Sequence, residues 1–258
     1  APVGNAPLSG VSGPAEAFFN PIDYETQRQE WIIRMSDNSY FIHNDVLLTK
    51  SKIAFLAGGN HSVLDYITGK KKPTADSIKN FGRNIASRAY IAEVCKSKFL
   101  HVIFPDKQSV MQDEFPLKNT VRLGDLYTTS LASTSLKHFV LFPTQALQSH
   151  SELEPFQKLD THLSDHGSLI VLRAIVKCLG EDAQIEIDEL QSLITVKQIN
   201  NGDLGNKFSP KLTQESTLLK TNWNYQHFGS EGTFNNGQID IYLSPNAPIQ
   251  KKLLIFGD

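Results

Sequence analysis

Cysteine is scarce in this chain: Cys95 and Cys178 are the two it has in 258 residues. Two thiols exclude a multi-disulfide scaffold and an all-cysteine zinc site. One bridge between them stays open in an oxidising compartment, because sequence does not set their separation. Both stand at helical spacing from apolar residues, Cys95 with Ile78, Phe81, Ile85 and Ala92, and Cys178 with Val171 and Ile175, which predicts that both pack in a core. Long hydrophobic runs are missing too. No stretch approaches the roughly 18 apolar residues of a membrane-spanning helix, so no direct membrane insertion is expected. Nor is there an excess of either charge: 25 Lys and Arg stand against 27 Asp and Glu, a net charge of −2. Such a balance offers nucleic acid no general attraction, and the one basic run, Lys70 to Lys72, reads as a solvated turn. Internal repeats are absent, and Gly58-Gly59-Asn60 lacks the spacing of a nucleotide-binding loop.

What is present is an ordinary globular composition, 40% hydrophobic and 20% charged, in a chain long enough to bury one substantial core. The segment 1–20, rich in Ala, Pro, Gly and Ser up to Gly13, lacks the regions of a signal peptide and is expected to be flexible. Residues 21–258 then form a single domain. Three short apolar runs, Ile53 to Leu56, Leu100 to Phe104 and Phe139 to Phe142, read as buried strands. Between the first two, Thr74 to Lys96 carries an apolar stripe of period near 3.6, a βαβ-like succession that favours a parallel sheet. A second helix is predicted from Asp165 to Leu179, with Ser164 as its cap, Asp165 in its first turn and Gly180 beyond its end. Asn- and Gly-rich turns follow at Asn200 to Asn206 and Gly229 to Gly237. Lys251 to Phe256 is expected to be a last strand that delivers Gly257-Asp258 to the carboxyl edge of the sheet, where ligands of open α/β sheets collect. The expected fold is therefore a three-layer α/β/α arrangement around a mostly parallel sheet.

The densest chemistry lies in Leu159-Asp160-Thr161-His162-Leu163-Ser164-Asp165-His166-Gly167. A carboxylate two residues before a histidine can accept the Nδ1 proton, which leaves Nε2 outward as a general base. Asp160 and His162 are thus candidate catalytic residues that lack only a nucleophile and an oxyanion hole. Lys107, just past a predicted strand end, is a candidate for the cleft or for a turn. Asp203, in Gly202-Asp203-Leu204-Gly205, suits a turn, and Trp223, Tyr225, His227 and Phe228 suit either sugar stacking or core packing.

Several of these pieces occur together and in order: Gly59 to Lys70 (GNHSVLDYITGK), Phe104 to Val110 (FPDKQSV), Asp160-Thr161-His162, Gly202 to Gly205, and Leu253 to Asp258 (LLIFGD). In this the chain resembles the AlgX/AlgJ-type alginate O-acetyltransferases and their SGNH-hydrolase-like relatives from about Phe55 onward. The resemblance implies an SGNH-like (flavodoxin-like) domain with permuted motif order and an irregular C-terminal insertion. It implies His162 as general base, Asp160 as its orienting carboxylate, and a nucleophilic serine directly after Asp258, so that the polypeptide as given stops one residue short of the complete covalent apparatus. Lys107, Asp203 and Asp258 would support the site or its substrate. The implied activity is acetyl transfer to a polysaccharide, or its removal, outside the cytoplasm, with a protein or small ester as donor and no cofactor. Leu163 stands where the family carries Trp, which removes an aromatic wall beside the histidine. Two other readings stay open. His162 and His166, four apart with Asp165 between them, would share one face of a continuous helix and approach metal-protease spacing. A carbohydrate-binding relative without catalysis is the second.

Overall fold

The computed structural model describes residues 40–59, 62–117, 120–180, 194–220, 224–229, 239–247 and 251–256; the flexible segment expected at 1–20 lies outside them. The chain enters through a three-stranded antiparallel sheet, β1 (Tyr40–His43), β2 (Val46–Thr49) and β3 (Ala54–Leu56). Asn44 and Asp45, both at positive φ (46° and 65°), join β1 to β2. Two such residues are what a tight hairpin requires. Every residue of β2 is buried, because the sheet is covered on both faces. Leu47 and Phe55 point to one core with Leu64, Ile67 and Phe115. Val46, Leu48 and Ala54 point to another with Leu159, Leu204 and Phe208. That second core holds the chemistry-bearing loop against the sheet.

The two helices predicted from apolar periodicity form, among several shorter ones. After the short α1 (Val63–Ile67) comes α2 (Ala75–Val94), whose Thr74 side chain accepts a hydrogen bond from the Ser77 amide. Of the two buried strands predicted at 100–104 and 139–142, only β4 (His101–Val102) and β5 (Val140–Leu141) form; they pair in parallel but are half-buried, and Phe104 is exposed. Between them lie α3 (Lys107–Val110) and α4 (Leu123–Ser130), and after β5 comes α5 (Thr144–Gln148). Helix α6 (Asp165–Cys178) begins where expected: the Ser164 hydroxyl accepts from the Gly167 amide and donates to the Glu154 carbonyl. Gly180 follows its end at φ 64°. The third core, Val110, Leu147, Phe156, Ile170 and Val171, packs α6 on α5 and α3. Beyond it, β6 (Ile194–Asn200) and β7 (Gln214–Lys220) form a long antiparallel pair around a single turn, α7 (Gly202–Gly205), and β8 (Gln226–Gly229) pairs with β9 (Asp240–Leu243).

The architecture is thus mixed α/β, but the described residues form small sheets rather than the expected three-layer parallel sandwich. Strand β3 takes β2 as its partner instead of β4, because a short turn after Thr49 returns the chain beside the buried Val46, Leu47 and Leu48. Lys251 to Phe256 is not a strand here. Its apolar side chains stand in solvent, with Phe256 86% exposed. Cys95 and Cys178 are both free and exposed rather than packed, since each falls at the C-terminal end of its helix, beyond the buried residues Ile85 and Val171. Tyr225, His227 and Phe228 are exposed at the β8 hairpin, so these three do not pack in a core; Trp223 and Asp258 lie outside the described residues, as does most of Gly229 to Gly237.

Candidate active site

The site grows from a loop that three neighbours hold in place. Leu159 is anchored in the second core, and its amide donates to the buried Gln214 side chain at 2.6 Å. Its carbonyl accepts from the amides of both Leu204 and Gly205 at 3.1 Å. Only glycine suits position 202: φ is 64°, and a Cβ would lie 2.1 Å from the Leu159 carbonyl oxygen. With the backbone pinned at 159, the next three residues project away from the core.

Asp160 is mostly buried and collects donors on both oxygens. Oδ1 accepts from the His162 amide at 2.9 Å and from the His162 ring Nδ1 at 2.6 Å, while Oδ2 accepts from the Asp203 amide at 3.1 Å. Burial alone would push this carboxyl up, but the three hydrogen bonds and the imidazole charge outweigh it and hold the pKa below its ordinary value. His162 shows the reciprocal effect. Its hydrogen bond to Asp160 raises the imidazole above its usual pKa, against a smaller lowering by burial, and the nearby Asp203 charge adds to the rise. The His162 side chain is 78% exposed. With Nδ1 committed to Asp160, Nε2 is the atom presented to solvent, as the Asp-x-His spacing predicts.

Asp203 is more than a turn residue. It reaches back across the sequence, accepting from the Thr161 amide at 2.8 Å and from the Thr161 hydroxyl, and its Oδ2 lies 3.9 Å from His162 Nδ1. Lys107 does not face a cleft or solvent: it is 3% exposed, and its ammonium sits beneath the loop among backbone carbonyls. Thr161 and Gln214 are supports that the sequence did not single out. Gln214 opens β7 with the polar run Gln214 to Thr217, and nothing in that run distinguishes it from its neighbours.

Asp160, His162 and Asp203 offer ligand atoms within 4.8 Å of one another, but Asp160 and Asp203 already receive backbone amides, and the imidazole Nδ1 is engaged by Asp160. The helical metal motif is not formed. Ser164 starts α6 after His162, so His162 and His166 do not share a helix, and the Asp165 carboxylate accepts from the Leu219 amide. No family model, curated protein or solved structure matches this chain. The chemistry of the site therefore rests on its own geometry. What that geometry can do is remove a proton: a solvent-facing imidazole nitrogen backed by a fixed carboxylate is a general base in the correct tautomer.

Proposed function

We propose that this chain is an SGNH-like domain of a polysaccharide O-acetyltransferase, with His162 as general base and Asp160 as its orienting carboxylate. The observation that carries the reading is the Asp160–His162 hydrogen bond at 2.6 Å, with Nε2 left outward. The nucleophile is a serine expected immediately after Asp258. Its Oγ attacks the carbonyl carbon of a donor acetyl ester as His162 Nε2 takes the hydroxyl proton. The tetrahedral intermediate, its oxygen held by backbone amides, expels the donor alcohol, which leaves with that proton. A sugar hydroxyl then attacks the acetyl-serine, gives its proton to His162, and departs as the acetyl ester while the serine recovers its proton. Water in place of the sugar would make the same apparatus an esterase, and the family resemblance favours transfer.

Lys251 to Phe256 becomes a central strand of a three-layer sandwich and brings Gly257-Asp258 and the serine to the imidazole. The polymer is extracytoplasmic, and the acetyl donor is a partner protein or a small ester.

The test is the mass of the chain extended through that serine after incubation with an activated acetyl ester. A single acetyl adduct on the serine is expected, with turnover reduced roughly 10²- to 10⁴-fold in His162→Ala and Asp160→Asn. Wild-type turnover in either folded variant sinks the assignment of the pair.

A binding role is the second reading, and the β8–β9 hairpin favours it. His227 stacks on Tyr242 with centroids 4.6 Å apart, Tyr225 lies beside Tyr242, and Asp240 accepts from the His227 ring at 2.8 Å. Exposed rings bordered by a carboxylate suit the apolar faces and hydroxyls of sugars. Polysaccharide bound without any acetyl adduct would move the function to this hairpin.

A further inference from the structure

Lysine is the least expected residue beneath a catalytic loop, since burying an ammonium is costly unless it is surrounded by acceptors. Lys107 has four. Its Nζ lies 2.9 Å from the Ala54 carbonyl oxygen, 2.5 Å from that of Gln157, 2.8 Å from that of Lys158 and 3.1 Å from that of Asp160. The first belongs to β3 and the other three to the segment that ends in the candidate base pair. The Phe55 ring lies 5.4 Å from the ammonium.

An ammonium has three N–H groups, so it serves four carbonyls by sharing, and only while protonated does it have all three. Loss of the side chain would take this donor from the Gln157 and Asp160 carbonyls on either side of Leu159, leaving the Ala54 amide on the Lys158 carbonyl at 2.8 Å as the backbone tie to β3 and loosening the grip on residue 160. Asp160 is the last residue gripped, and its carboxylate is the group that sets the His162 tautomer.

We propose that Lys107 is a positioning residue for the Asp160–His162 pair: its buried ammonium clamps the 157–160 loop to β3 and so fixes the carboxylate that orients the imidazole. The role rests on reading His162 as the base, but it is tested without any activity. Burial pulls the Lys107 pKa down to about 7, while the charges of Asp160 and Asp203 pull it up, so the lysine and the pair sense each other.

The decisive measurement is the His162 ring titration by NMR in the wild type, Lys107→Met and Asp160→Asn. Two effects of Lys107→Met have opposite signs. Removing a positive charge alone would raise the imidazole pKa, whereas losing the placement of Asp160 lowers it toward the ordinary 6.5. The proposal expects a fall toward the value in Asp160→Asn, and an unchanged or raised value overturns it. If Lys107→Met does not fold, the clamp is read in the wild type from the His162 and Asp203 amides, which donate to the Asp160 carboxylate, by hydrogen exchange corrected for its intrinsic pH dependence as Lys107 loses its proton. Protection that falls with the ¹³Cε titration of Lys107 supports the clamp; unchanged protection overturns it. Failure of the acetyl-serine experiment with a positive titration would remove the acetyl-transfer reading and leave the clamp in place.

Discussion

Asp160 and His162 depend on one another, and pH separates their contributions. The Asp160 pKa is depressed from 3.8, so its contribution to stability is present above that value and is lost as pH falls through the native pKa. The His162 pKa is raised from 6.5, so its contribution is present below that value and is lost as pH rises through the native pKa. The difference in unfolding free energy between the wild type and Asp160→Asn is therefore expected to be largest between pH 3.8 and 6.5 and to shrink on either side. Urea denaturation at several pH values measures it, and a flat difference would show that the two groups are not paired. Lys107 behaves oppositely to His162. Its pKa is depressed, so between about 7 and 10.5 the unfolded chain binds a proton that the native protein sheds, and this group makes stability rise with pH across that window.

At the level of elements, the site depends on a single turn far away in sequence. Helix α7 brings two amides to the Leu159 carbonyl and the Asp203 carboxylate to Thr161, and the approach is close enough that no Cβ fits at 202. Gly202→Ala is expected to destabilise the protein by about 1–3 kcal/mol from the left-handed backbone alone. The steric conflict with Leu159 adds to that cost. Thermal denaturation reads the loss, and the His162 titration in the same variant should move toward 6.5 as the loop is displaced. A variant with unaltered melting and titration would show that α7 does not hold the loop. Helix α6 contributes differently: its cap, Ser164, ends the loop two residues after His162 and keeps the imidazole outside the helix.

For the whole molecule, the proposed sandwich makes a specific demand on the C-terminal segment. Leu253, Leu254, Ile255 and Phe256 are each at least 70% exposed, and four consecutive apolar side chains in water gain stability wherever they find a sheet to join. In the chain extended through the expected serine, their amides should become protected from hydrogen exchange to the level of β2. Exchange as rapid as in an open peptide would remove the central strand from the proposal and, with it, the route by which the serine reaches His162.

Helical periodicity, capping residues and the Asp-x-His spacing were legible because each is a local property. A stripe of apolar residues at 3.6 spacing, a serine before Asp165 and a glycine after Leu179 act through bonds within a few residues, and α2 and α6 formed accordingly. The hydrogen bond between Asp160 and His162 is equally local. Strand partners were not legible, because pairing is decided by which apolar edges meet in space: β2, a neighbour through a tight turn, took β3 from the expected parallel partner. Burial of cysteines at helix ends depends likewise on whether another element reaches them. The sequence by itself therefore determined the two long helices, their caps and the chemistry of the candidate base. Tertiary structure alone decided that Lys107 lies buried under that base and that Asp203, Gly202 and Gln214 hold it, since these contacts join segments 40 to 55 residues apart, whose meeting rests on the shared core of Val46, Leu48, Leu159 and Leu204.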